Sequence, residues 1–296
     1  MAENEFMAKS LSNRTMKQMN EKKKDKIVPN TPKQLSLREH IENRLESSID
    51  IYLNNWKKKP TQPLDIIFPE ERRVRSIIGG LETSLGTKLW ENISKFCAER
   101  NEFKVHNEKE LKRPEKRPPE IEAVVTKWRN KRETKGQIHS LEGYIKELKE
   151  VSKRKCYTFS KAELTSFRSG QGVDIHLEKN QKHYLYDIKT VQINQGDGLK
   201  FNSTLMNWYA DIICQNPDIE VVCALAFPFN PYVPKTWWQG NGSRAFPLIE
   251  KEDAVVEDEF WNFLSGEKHT WKIINRAFQT LGNKNLGKKY KHIFYE

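Results

Sequence analysis

The chain has 296 residues, 36% of them hydrophobic, with 51 basic and 40 acidic side chains giving a formal net charge of +11. That length supports one large or two modest domains with a real core, and the basic balance suits a polyanionic partner better than a membrane. No apolar run reaches membrane-spanning length and no leader pattern opens the sequence, so a soluble protein of a prokaryotic cytoplasm is expected.

Cys97, Cys156, Cys214 and Cys223 lie far apart without CxxC spacing, which reads as free thiols in a reducing compartment. The seven histidines show no zinc-ligand spacing, and there is no GxSxG, Gly-rich phosphate loop or kinase signature.

In chain order, residues 1–34 are polar and lysine-rich and are expected to form a disordered basic tail. Ser36 and Glu39 make a capping box. Leu37, Ile41, Leu45, Ile49, Leu53 and Trp56 then recur at helical spacing, for packing on the core or a second subunit. A second helix starts at Pro69 and, broken at Gly79-Gly80, continues through Leu85, Leu89, Trp90, Ile93 and Phe96. Residues 107–119 read as an exposed excursion, followed by helices near 120–132 and 140–152. Lys127, Arg129, Lys131, Arg132 and Lys135 there suit either phosphate contacts or a solvated face.

The most informative stretch is 172–194, GVDIHLEKNQKHYLYDIKTVQIN. Val173, Ile175 and Leu177 alternate with Asp174, His176 and Glu178, as a strand requires, which turns Asp174 away from the core. In the second run Leu185, Asp187 and Lys189 share a face opposite Tyr184, Tyr186 and Ile188. A hairpin centred between Asn180 and Gln181 pairs Asp174 with Asp187, with Cβ atoms about 5 Å apart. Two carboxylates so close favour either a shared proton or an intervening cation. Carboxylate oxygens, a carbonyl near Ile188 and water suit Mg2+, and Lys189 then faces the attacking water or a phosphate oxygen, the equipment for phosphodiester hydrolysis.

Beyond the hairpin, Leu205, Trp208, Tyr209, Ile212 and Ile213 mark a helix within 201–216, and 220–227 is a buried strand reached by a crossover. The pattern is an α/β (α+β) fold, a central mixed sheet flanked by helices. Gln192 falls on the face opposite Lys189. The aromatic, amide-rich segment 230–248 is the leading candidate for contact with bases, through Lys235, Trp237, Trp238, Gln239, Asn241 and Arg244. Equally, its tryptophans could anchor a surface loop to the core. Asn194 and Lys200 border the carboxylates and suit phosphate contacts. Residues 255–281 read as two packing helices, with the core domain spanning 35–282 and a basic segment 283–296.

Asp174 with Asp187-Ile188-Lys189 resembles the PD-(D/E)XK nuclease superfamily, with Val173 in place of the usual Pro. The surrounding GVDI, YLYDIKTVQIN, FNSTLMNWYADI, LAFPFNPY and GSRAFPL look like the TdeIII-like type II restriction endonucleases, over roughly residues 75–281. The resemblance implies a magnesium-dependent endonuclease that cuts double-stranded DNA at a short, palindromic site. It also implies a homodimer and a cognate DNA methyltransferase in the same system. Such nucleases carry a further acidic ligand on an earlier helix. Within ETSLGTKLWE (82–91), Glu91 fits the family spacing best, Glu82 is the runner-up and Glu142 a third choice. A repair or recombination nuclease of the same fold, or a non-catalytic DNA-binding module, are the alternatives.

Overall fold

The computed structural model describes residues 36–57, 62–168, 170–189, 193–194 and 196–295. The expected basic tail and Gln192 lie outside them. Residues 37–296 form one unit of contacts. Seven strands are described: β1 (Lys104–His106), β2 (Lys112–Pro114), β3 (Leu164–Ser166), β4 (Ile175–Lys179), β5 (Lys182–Ile188), β6 (Glu220–Phe227) and β7 (Ala254–Val256). β4 and β5 pair antiparallel from Ile175↔Tyr186 to Lys179↔Lys182, the register that the sequence symmetry predicts. The turn holds only Asn180 and Gln181, with φ of 53° and 62°, the left-handed pair a two-residue primed turn requires.

The crossover after β5 returns the chain parallel to it as β6, and β7 extends the sheet parallel to β6. β1 pairs antiparallel with the other edge of β4, giving the order β1-β4-β5-β6-β7. This is the expected mixed sheet flanked by helices, a restriction-endonuclease-like fold. β2 and β3 form a separate small sheet, so the stretch read as an irregular excursion contains a strand.

The helices are α1 (Leu37–Asn54), α2 (Pro63–Ile67), α3 (Pro69–Leu85), α4 (Glu91–Arg100), α5 (Pro119–Glu133), α6 (Glu142–Lys155), α7 (Asp197–Ile213), α8 (Trp237–Asn241), α9 (Asp258–Ser265), α10 (Thr270–Asn283), α11 (Leu286–Lys289) and α12 (Lys291–Tyr295). One sheet face, with Ile175, Leu177, Tyr186 and Ala224, packs on apolar residues of α1, α4, α9 and α10. The opposite face, with Leu185, Cys223 and Leu225, packs on α5, α6 and α7. Both faces are therefore core. The carboxylates do not point into open solvent from a half-buried sheet; they emerge where β4 begins and β5 ends.

Two expectations are corrected. The helix from Pro69 runs unbroken past Gly79-Gly80, and the irregularity is a π-helical turn at Gly86–Trp90 instead. Gly80 stays helical because its bare Cα lets the Tyr52 hydroxyl close in; an added Cβ would lie 2.0 Å from it. Arg132 is no phosphate grip: it is fully buried and donates to Asp253 Oδ2 at 2.5 Å, Asn202 Oδ1 at 2.7 Å and the His139 carbonyl at 2.6 Å. Within the basic segment, Tyr290 is buried against Leu53 and Ile77. Three cysteines are buried, Cys156 is exposed, and all are free. Among the described residues no helix is long and apolar enough to cross a membrane.

Candidate active site

The two-residue turn fixes the chemistry at the far end of the hairpin. The ladder ends at Ile175↔Tyr186, one residue short of the acids, and the Asp174 and Asp187 side chains there lie within hydrogen-bond reach of each other. Asp174 N–H donates to the Tyr186 carbonyl at 2.9 Å, and the Ile188 N–H donates to Asp174 Oδ2 at 2.7 Å. One Asp174 oxygen is thus held by backbone. Lys189 leaves the strand but stays attached to the sheet, its N–H donating to the Ala226 carbonyl at 2.8 Å. Its ammonium bonds Asp187 Oδ1 and lies 5.5 Å from the Phe201 ring centroid.

Asp187 is 8% exposed. Burial pushes its carboxyl well above the usual carboxylate range; the Lys189 charge opposes this, and Asp174 reinforces it. Glu91, at the start of α4, is half-buried and is pushed up to about 7, first by burial and then by the charge of Asp174. The preferred glutamate is therefore brought into the electrostatic field of the hairpin acids, whereas Glu82 and Glu142 are exposed. The π-helical turn before α4 explains why helical phase alone left the choice open: it adds a residue to the turn and re-aims everything after it.

Two residues escaped the sequence reading. Lys95, one turn after Glu91, lies 4.0 Å from Glu91 and 3.1 Å from Glu108. Glu108 lines the same open cleft, of about 580 Å3, as Asp174, Asp187, Ile188 and Lys189. Burial raises its pKa, but a backbone hydrogen bond and Lys95 outweigh that and hold it low. The signal for Lys95 was its i+4 spacing from Glu91; Glu108 sits in a charged run that reads as solvent-facing. Phe167, Arg168 and Gly170 continue this cleft into a second, bordered by Arg113, Lys116, Arg117 and Lys200. Arg117 is partly spent internally, through a forked pair with Asp211 at 2.5 and 3.1 Å.

The remaining expected residues divide by environment. Asn194 and Lys200 are exposed, and Asn194 Oδ1 accepts from the Gly196 N–H at 3.1 Å at the start of α7. Lys235 and Arg244 are exposed, while Gln239 is tied into a local cap, its Oε1 accepting from the Thr236 N–H at 3.0 Å. Trp237 is 2% exposed, its ring 4.1 Å from Phe227 and 4.9 Å from Trp238. These rings anchor the loop to the core. Asn241 closes α8. The loop also reaches the hairpin's exit: at Gly198 an added Cβ would lie 2.2 Å from the Phe246 carbonyl and 2.8 Å from that of Arg244.

A hairpin bearing two acids and a lysine, on a mixed sheet flanked by helices, defines the restriction-endonuclease class of fold. The family model described as "Type II restriction endonuclease, HinfI" matches residues 4–282. The chain belongs to that family of type II restriction endonucleases, and the match does not specify the narrower TdeIII-like subgroup. The type II restriction enzyme MjaII of Methanocaldococcus jannaschii is 23% identical over 224 residues, covering 72% of this chain and 56% of that protein. The chain thus spans little more than half the length of that relative.

Proposed function

We propose that the protein hydrolyses phosphodiester bonds in double-stranded DNA at a short specific site, with magnesium held by Asp174, Asp187, Glu91 and the Ile188 carbonyl. The observation that carries this reading is the closeness of the Asp174 and Asp187 carboxyls at the end of the hairpin, with the Lys189 ammonium on the second acid and Glu91 beside the first. Convergent hard oxygen donors with so few protein cations fit a hard divalent ion. When bound, such an ion supplies Lewis-acid activation of water and neutralises charge developing at the phosphate.

The chain's own residues do the rest. The Ile188 amide fixes one Asp174 oxygen, which orients the carboxyl toward Asp187 and the cleft. Lys189, held between Asp187 and the Phe201 ring, orients the attacking water and stabilises its deprotonated form. Lys95 balances Glu91 and Glu108, keeping the acidic end from repelling the phosphate outright. Arg168, Lys200 and Arg113 continue the path along the DNA backbone, and Arg244 with Lys235 stands where base edges are read.

A homodimer follows from the chemistry, since one chain brings one such constellation and a duplex has two strands to cut. Leu64, Ile66, Ile67 and Phe68 support it: they are 52%, 79%, 66% and 50% exposed and adjacent in sequence, an apolar patch suited to a second copy. A DNA methyltransferase of matching specificity is the functional partner that would protect the host genome.

Agarose-gel digestion of intact phage DNA with magnesium, beside EDTA and Lys189→Ala controls, tests the reading. Sharp bands lost in both controls are expected. A smear would move the reading to a structure-directed nuclease, and tight binding without cutting to a binding module.

A further inference from the structure

We propose that His106, His176 and His183 form a second metal site, for a zinc-class divalent ion, that staples β1 to the β4–β5 hairpin, with Glu178 hydrogen-bonded to His106 beside it. The linear sequence hides it, because the three histidines come from three strands. The sheet registers assemble them: His106 pairs with His176 across β1 and β4, and Glu178 pairs with His183 across β4 and β5. Successive even and odd positions then place all four side chains on one face.

The geometry is convergent. Ring centroids lie 4.4 Å apart for His106–His176, 5.2 Å for His176–His183 and 5.7 Å for His106–His183. His176 Nε2 is 3.0 Å from His183 Nδ1, and one ring nitrogen from each histidine falls within 4.8 Å of the other two. Glu178 Oε2 lies 2.7 Å from His106 Nε2 and 3.4 Å from Lys104 Nζ. Donors of a tetrahedral zinc site with bonds of about 2.0–2.1 Å stand roughly 3.3 Å apart, so side-chain rotations suffice to close the set.

The donor chemistry selects the ion. Three imidazoles are borderline ligands that favour zinc, with water free to fill the fourth position, whereas the oxygen-only set at Asp174 and Asp187 favours magnesium. A cleft bordered by His106, His176, Glu110 and Leu164 offers an entry path.

The site is distinct from the nuclease centre. His183 lies four residues before Asp187 on the same strand, about 13 Å away along β5. Its value is mechanical: β1 follows α4, which carries Glu91, and precedes Glu108. Fixing β1 to the hairpin fixes the glutamates relative to Asp174 and Asp187.

Equilibrium dialysis of the full chain against Zn2+ in excess Mg2+, with metal analysis, tests this independently of any cleavage. One zinc per chain is expected for wild type and for Asp187→Asn, together with a rise in thermal midpoint on adding zinc and a tetrahedral visible spectrum when Co2+ is substituted. His106→Gln and His183→Gln, checked for folding by circular dichroism, should each lose the zinc. Should neither variant fold, the Co2+ spectrum of wild type and of Asp187→Asn decides. Absence of zinc or of the tetrahedral band in wild type, zinc retained in folded histidine variants, or zinc lost in Asp187→Asn would each overturn the site.

Discussion

Arg132→Met tests the largest electrostatic commitment in the fold. The Arg132 and Asp253 side chains are 0% and 1% exposed. Besides Asp253, Arg132 serves Asn202 on α7, the His139 carbonyl after α5 and, at 3.5 Å, the Pro247 carbonyl. Methionine keeps most of the stem but leaves Asp253 buried with only the Ile249 N–H, at 2.8 Å, as a donor. Removing one partner of a buried pair costs about 3–5 kcal/mol. At about 2–4 °C per kcal/mol for a domain of this size, the thermal midpoint should fall by roughly 6–20 °C. Burial already raises the Asp253 pKa while Arg132 opposes it, so the variant should raise it further. A folded carboxyl with a raised pKa binds more protons than the unfolded one, so its stability contribution is lost as pH rises above the ordinary carboxylate range. The deficit of Arg132→Met should therefore be smaller at about pH 5 than at about pH 8. Adding Asp253→Leu should recover much of the loss, because no uncompensated charge remains. Circular-dichroism melts across pH measure all three effects. A midpoint within about 2 °C of wild type, or a deficit that ignores pH, would refute the account.

Asp174→Ala, Asp187→Ala, Lys189→Ala and Glu91→Gln should each lower cleavage by about 10²-fold or more while DNA binding in a gel-shift assay persists. Glu82→Gln and Glu142→Gln should leave cleavage rates unchanged. Gln181→Gly should raise stability by about 1 kcal/mol in urea titration, since glycine relieves a left-handed φ of 62°. Arg244→Ala and Lys200→Ala should weaken DNA binding with little change in midpoint, and Lys200→Ala should reduce the salt slope by about one. Trp237→Ala should instead lose about 3–5 kcal/mol of stability, as a buried anchor does and an exposed base wedge does not.

The hairpin was legible in the sequence because two residues of turn and a period of two leave one register, and that register alone determines which acids meet. Helices α1, α7, α9 and α10 were legible because their apolar residues recur at helical spacing, and β6 because it is a short, unbroken apolar run. What stayed hidden is what sequence order does not encode. Glu108 belongs to a charged run, and only the pairings of β1 with β4 before it and of β2 with β3 after it, both with strands more than fifty residues on, bring that run to the hairpin. Arg132 sits among exposed lysines on α5, and its burial is decided by an aspartate from another segment. The π-helical turn at Gly86–Trp90 shifts the phase of α4 with no proline or glycine pair to announce it.

The same reasoning separates the two kinds of ligand cluster on this sheet. Asp174 and Asp187 come from one hairpin, so their meeting can be read from 172–194 alone. His106 joins His176 and His183 only through the β1–β4 pairing, which brings together residues 70 positions apart. Linear spacing carries no sign of the histidine cluster, because the sheet and not the chain order assembles it. The β1 edge is therefore where the sequence is least informative, and it is also where Glu91 and Glu108 gain their alignment with the hairpin. If β1 is loosely held, the acidic site loses the glutamate that the hairpin cannot provide, and the nuclease centre becomes sensitive to an edge strand of only three residues. A short edge strand has few ladder bonds to hold it, which is the physical reason a cross-strand staple at His106 would matter to catalysis without touching DNA.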